Sequence, residues 1–205
     1  SQNDIRKILS FHIVSQIGYM VMGLALFNRL AFIGSVFYIV HHIIVKANLF
    51  LLSGVIQRTA GSFDLRQIGG LYRSRPALAV LFLIPAFSLA GFPPLSGFWA
   101  KMIVIRSSLG QAYYVIAGVA PAVSALTIYS TPKIWALGFW KDHPHPTEFC
   151  ERRVPLLMWL PIVGLAVLTV LIGLFPEFVY QLAERSASQL LDRGAYISAV
   201  LEARP

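Results

Sequence analysis

Residues 37–54 read FYIVHHIIVKANLFLLSG. The run is apolar enough to lie inside a bilayer-crossing helix, yet His41, His42 and Lys46 stand in its middle. An ionisable side chain in hydrocarbon is costly to hold, so it requires a partner, a water-filled path or a task. At helical spacing Ser35, Tyr38, His42, Lys46 and Ser53 share nearly one side, with His42 and Lys46 one turn apart. His41 is turned away by about 100° and faces a neighbouring helix instead.

The rest of the chain fits a membrane. Of 205 residues, 57% are hydrophobic and 13% charged, and mean hydropathy is +0.68, outside the range of an ordinary soluble domain. The formal net charge is +8. Its basic residues gather between apolar segments, as at Arg58, Arg66, Arg73 and Arg75, and not in one stripe. That pattern argues against nucleic acid as a partner and suits a face against anionic lipid. One cysteine, Cys150, allows neither an internal disulfide nor a thiolate metal cluster. No nucleophile with a base and an orienting group, no metal-ligand spacing and no glycine-rich phosphate loop occurs, so no enzyme, cofactor or metal site is expected. The chain opens SQNDIRKIL, without an initiator methionine or a signal-peptide pattern, and reads as the later part of a longer polypeptide.

A spanning helix needs roughly 20 mostly apolar residues. About six segments come near this: 8–27, 31–56, 77–90, 95–109, 113–140 and 154–175. The third and fourth are short and flank GFPPLSG, whose prolines forbid a continuous helix. They read as two tilted spans joined by a tight turn, or as one broken span. Residues 177–191 carry Phe178, Leu182 and Leu190 between charges and read as a helix lying at the membrane surface; the tail beyond Gly194 is expected to fray. With six spans, Arg6, Lys7, Arg58, Arg66, Arg73, Arg75 and Arg106 share one face, the cytoplasmic one by the positive-inside rule, opposite Arg29, Lys141, Arg152 and Arg153.

Other spans also carry polar stripes. His12, Ser15, Gln16 and Tyr19 follow the i, i+3, i+4, i+7 pattern of one helix face, and Ser124, Thr127 and Thr131 lie on another. Lys101 follows the proline break by a few residues, with Trp99 beside it as a candidate interfacial anchor. The last span has only Thr169 in its interior and suits packing or lipid contact. Rows of hydroxyls, amides, imidazoles and amines both donate and accept, which a hydrated proton path requires. Lys46, Lys101, His42, His41, His12, Gln16, Ser15 and Tyr38 are the candidate path residues. All nine acids, among them Glu148, Glu151 and Glu202, fall outside the spans. A bound hard cation needs several oxygen ligands, usually with a carboxylate, so protons are the better-supported cargo here. The bland alternative is a scaffold in which hydroxyls cap helix carbonyls and histidines merely join helices.

Four stretches, NDIRKILSFHIVSQIGYM, HHIIVKANLFLLSG, LRQIGGLYRSRP and LAGFPPLSGFWAK, in this order, resemble the proton-translocating antiporter-like membrane family. That family comprises the large antiporter-like subunits of respiratory complex I, related subunits of membrane-bound hydrogenases, and the A and D subunits of Mrp-type multisubunit sodium/proton antiporters. The double histidine and PPLSGFWAK look most like the Mrp D branch, and the resemblance runs to about residue 175.

The resemblance implies a fold of about fourteen helices with two inverted five-helix repeats, each with a broken helix bearing a key lysine. This chain would supply the second repeat (1–140, a proton half-channel), a loop with the last spanning helix (141–176), and an interfacial helix and tail (177–205). It further implies that Lys46 is the central lysine, His42 the histidine one turn before it, and Lys101 the terminal lysine of the half-channel. Some relatives have histidine where Gln16 stands and glutamate where Lys101 stands. The glutamate and lysine pair of the family's first repeat is absent from this sequence.

The expected activity is proton conduction in exchange for Na+, within a multisubunit complex of a bacterial inner membrane. Two like charges about 7 Å apart repel by roughly 2 kcal/mol at an effective dielectric near 20, enough for protonation of Lys101 to disfavour charge on Lys46. The alternatives are a proton-pumping subunit of a redox-driven complex, or a structural scaffold.

Overall fold

The computed structural model describes residues 2–142, 154–192, 194, 197, 198 and 200. Cys150, Glu148, Glu151, Arg152, Arg153 and Glu202 lie outside the described residues, as does most of the tail.

The first two helices begin where a side chain takes up their free amides. Asp4 accepts from the backbone of Arg6 at 2.8 Å and Lys7 at 3.4 Å and starts α1 (Ile5–Ala25). Asn28 accepts from Ala31 at 2.9 Å and starts α2 (Arg29–Ala60), which Gly61 ends at φ 79°, a conformation natural to glycine. A short turn, α3 (Leu71–Ser74), leads into α4 (Pro76–Ala90) and α5 (Ser96–Gly110). Then follow α6 (Tyr114–Trp135), extended by a π-helical turn at Ala136–Trp140, α7 (Leu156–Leu174) and α8 (Glu177–Leu191). All six apolar segments of the sequence are helical.

α1, α2, α6 with its π turn, and α7 are each long and apolar enough to cross a membrane. α4 and α5 have 15 residues apiece, about 22 Å each, too short for a hydrocarbon core of roughly 30 Å. They are the two halves of one broken span. Phe82, Ala86 and Leu89 of α4 share a buried cluster with Val45, Leu49, Leu52 and Ile56 in the second half of α2. Ala100 of α5 shares another with Phe32, Phe37 and Tyr38 in the first half. Near the far end, Asn28 donates to Ser107 at 2.9 Å. The halves therefore run end to end beside α2, and the described residues make five crossings of an all-helical, multi-pass membrane bundle.

Counting the broken helix once changes the expected sidedness. Ile5 donates to the Phe63 carbonyl at 3.1 Å, Lys133 Nζ to the Gln2 carbonyl at 3.2 Å, and Arg73 pairs with Asp142 at 3.5 Å. One end thus gathers Arg6, Lys7, Arg58, Arg66, Arg73, Arg75, Lys133 and Lys141. Arg106 leaves that group and joins Arg29, which pairs with Glu184 at 3.0 Å, at the other end. The positive bias is sharper than the six-span count implies.

α8 packs on α2 by residues that its apolar pattern does not mark. Its buried stripe is Val179, Ala183 and Ala187, small residues that let it approach α2, whereas Phe178, Leu182 and Leu190 point outward. Trp99 is a tie between helices, its indole donating to the Gly173 carbonyl of α7 at 2.8 Å. Thr169 bonds only within α7, to Leu165 at 2.8 Å.

Candidate functional site

The break between α4 and α5 organises half of the site. Gly91 ends α4 at φ 94°, and its amide takes the Phe87 and Ser88 carbonyls. Pro93 and Pro94 have no amide hydrogen to offer, so the carbonyls of Leu89 and Ala90 stay free of helix bonds. Lys101 fills that gap: its Nζ donates to Leu89 at 2.9 Å and to Ala90 at 3.0 Å, and stands 5.5 Å from the Tyr19 ring centroid. At the start of α5, Gly97 lies against the Ser88 carbonyl so closely that a Cβ there would overlap it. This approach brings Ser88 Oγ to 3.0 Å from Ser96 Oγ, which in turn is 2.8 Å from His41 Nδ1.

The second half of the site lies between α1, α2 and α6. Tyr38 donates to Gln16 Oε1, and Gln16 Nε2 donates to Ser15 Oγ at 3.3 Å and Thr127 Oγ1 at 3.4 Å. Tyr19 donates to the Ala120 carbonyl and sits 2.7 Å from Ser124 Oγ. His12 Nε2 meets Ser130 Oγ at 2.6 Å. A groove of about 530 Å³ opens between α1 and α6, lined by His12, Ser15, Thr127 and Ser130, with Gln2 and Lys133 toward the basic end. Tyr38 joins the two halves through its ring, stacked on Tyr19 at 5.2 Å and edge-on to His41 at 5.7 Å.

Lys46 is buried, and its Nζ donates to the Leu9 carbonyl of α1 at 2.8 Å. His42, one turn away, is buried with an Nε2 that no protein group meets; the same holds for His41 Nε2 and His12 Nδ1. No direct bond joins His42 to Lys46, or either lysine to a histidine, among the described residues. Both ammonium groups are held by backbone carbonyls, and the acids of the described chain lie at the two ends. No group of three or more His, Cys, Asp or Glu among the described residues is placed to hold a metal ion.

Over residues 1–127, which carry every lysine and histidine of this site, the sequence matches the transmembrane family of NADH:quinone oxidoreductase and Mrp antiporter proteins. The chain belongs to this family. It is 47% identical, over 98% of its length and 41% of the relative's, to the D subunit of the Na+/H+ antiporter of Alkalihalophilus pseudofirmus. It is 30% identical, over 92% of its length and 40% of the relative's, to the N 2 subunit of the NADH-quinone oxidoreductase of Solidesulfovibrio magneticus. The structure of the Mrp complex from Dietzia sp. DQ12-45-1b matches it with a TM-score of 0.87 at 35% identity, covering 96% of this chain and 45% of that one. The chain thus spans 41% and 40% of the length of these two curated relatives.

Set on this member of the oxidoreductase and antiporter family, the eight expected path residues fall into distinct environments. His12, Ser15, Gln16 and Tyr38 lie together between α1, α2 and α6; His41 and Lys101 belong to the break; Lys46 bridges to α1; His42 stands apart. Ser88, Ser96 and Ser130 complete these clusters and do not stand out in the sequence, because serine beside a turn or in a membrane helix is ordinary. Asn48, fully buried with neither side-chain polar atom met by a protein group, is equally silent in the sequence. Its signal is visible afterwards: an amide two residues past Lys46 in an otherwise apolar run.

Proposed function

We propose that this chain is the proton-conducting portion of a secondary cation/proton antiporter subunit, exchanging protons for Na+ within a multisubunit complex of a bacterial inner membrane. The observation that carries this reading is the pair Lys46 and Lys101, two buried amines with carbonyl partners only and a row of exchangeable groups beside them. A lysine with no carboxylate partner is poorly held as a fixed cation and is suited to gaining and losing a proton. In this reading residues 1–140 form a half-channel, Lys101 loads a proton at the break, and Lys46 exchanges with it by like-charge repulsion. Tyr38, Gln16, Ser15, His12, His41 and His42 connect the amines through water and hydroxyls, and the basic end faces the cytoplasm. The similarity to the D subunit of a Na+/H+ antiporter supports this reading.

A proton-pumping role in a redox-driven complex is the second reading, favoured by the similarity to the N 2 subunit of an NADH-quinone oxidoreductase. The two separate in one experiment. The full complex is assembled in cells without their own sodium/proton antiporters, and everted vesicles are followed with a pH-sensitive dye on adding Na+. The antiporter reading requires a wild-type response that Lys46→Ala and Lys101→Ala each abolish at equal, assembled subunit levels. No wild-type response sinks it in favour of the redox-driven complex, and loss of assembly in the variants makes the lysines structural.

A further inference from the structure

The hydrogen bonds around His41 have a direction, because the row they form ends on a group that can only donate. His41 and the serines that lead to it, Ser88 and Ser96, are each buried to 1% exposure or less. The Gly97 amide, in the first turn of α5, donates to Ser88 Oγ at 3.3 Å. Ser88 Oγ lies 3.0 Å from Ser96 Oγ, and Ser96 Oγ lies 2.8 Å from His41 Nδ1. Gly97 permits this approach on both sides, since a Cβ there would overlap the Ser88 carbonyl and stand 3.0 Å from His41 Cε1.

A hydroxyl has one hydrogen to give, and a backbone amide offers no lone pair. Ser88 therefore accepts from Gly97, and among the described residues the acceptor its own hydrogen can reach is Ser96 Oγ. Ser96 takes that hydrogen and gives its own to His41 Nδ1. In the opposite order, with Nδ1 donating to Ser96 and Ser96 to Ser88, the Ser88 hydrogen would be stranded in a fully buried place, and an unmade bond there is costly. A neutral imidazole that accepts at Nδ1 carries its hydrogen at Nε2. That nitrogen is buried and meets no protein group.

We infer that Ser88 and Ser96 are positioning residues that hold His41 as the Nε2–H tautomer, so that the ring presents a hydrogen and not a lone pair beyond the break. The row itself relays nothing, because it ends on an amide that does not release its hydrogen. Within the proton path proposed above, on which its part in transport rests, His41 orients water by donating to it while Lys46 and Lys101 carry the charge.

The test is solid-state NMR of the assembled complex with isotope-labelled histidine, the His41 signals being those lost in His41→Asn. The wild type should show an unprotonated Nδ1 and a protonated Nε2. Ser96→Ala removes the donor to Nδ1, and Ser88→Ala frees the Ser96 hydroxyl to turn; in each, signals of the Nδ1–H tautomer should appear beside the original ones. Ser96→Thr keeps the hydroxyl and should keep the single tautomer. A protonated Nδ1 in the wild type overturns the proposal, as does a tautomer unchanged in either alanine variant; each variant that assembles decides by itself. The spectrum needs neither Na+ nor flux. If vesicles give no Na+ response while the tautomer holds, the antiporter reading fails and the positioning of His41 stands.

Discussion

Asn48 and Gly97 mark opposite extremes of what a single residue can do in this bundle. Asn48 is fully buried and its amide meets no protein group, a situation that costs about 1–3 kcal/mol. Asn48→Leu, similar in size and apolar, should therefore leave the thermal midpoint of the detergent-purified protein unchanged or raise it; a lower midpoint would mean the amide is satisfied in the assembled protein. Gly97 has no such latitude, since any Cβ would overlap the Ser88 carbonyl. Gly97→Ala should push α5 off α4 and lower stability by about 2 kcal/mol, seen as reduced protein in the membrane and a lower midpoint. At this scale the sequence yields positions and not pairings. The offset of His41 from the lysine face follows from helical geometry alone, and it does meet a neighbouring helix through Ser96. The shared face of His42 and Lys46 is equally legible, but spacing along one helix says nothing about whether two side chains bond.

The elements show where local chemistry suffices. Every boundary of α1, α2, α4 and α5 lies within a few residues of its sequence-based position, with Asp4 and Asn28 capping two starts, Gly61 and Gly91 closing two ends and the double proline setting the break. Asp4 carries a pH dependence. The Arg6 side chain, hydrogen-bonded to it, and the Arg6 and Lys7 amides hold its carboxyl below the ordinary value of 3.8. A depressed carboxyl stabilises the fold above its unfolded value and loses that contribution as pH falls through the folded one. Wild type and Asp4→Asn should therefore differ by a small, constant margin in thermal midpoint at neutral pH and converge in acid. The margin is small because the ion pair is largely exposed. α8 is where pattern reading covers one side alone: its large apolar residues mark the outward face, whereas close packing on α2 uses the alanines opposite. Ala183→Leu should unseat α8 from α2, exposing it to limited proteolysis, while Leu182→Ala should not.

For the whole molecule, the decisive quantity is the number of crossings, and composition could not give it. Two apolar stretches of 15 residues around a proline break look the same whether they form a hairpin or one interrupted rod; only their packing along both halves of α2 decides. The count fixes which charges share a side. In a Cys150→Ser background, Arg66→Cys and Arg106→Cys, which flank the two half-helices, should react with a membrane-impermeant thiol reagent from opposite faces, Arg66→Cys from the cytoplasmic one. Reaction of both from one face would restore the even count and reverse the assignment of Arg106. The break also has an electrical consequence. It holds the Lys101 amine near the middle of α2, hence near half the membrane's depth, where about half of any transmembrane voltage acts on it. A full charge crossing 100 mV gains about 2.3 kcal/mol, so moving one to this depth involves roughly 1 kcal/mol. Any proton that Lys101 takes from one side is thus weighted by the voltage even before a cation is involved.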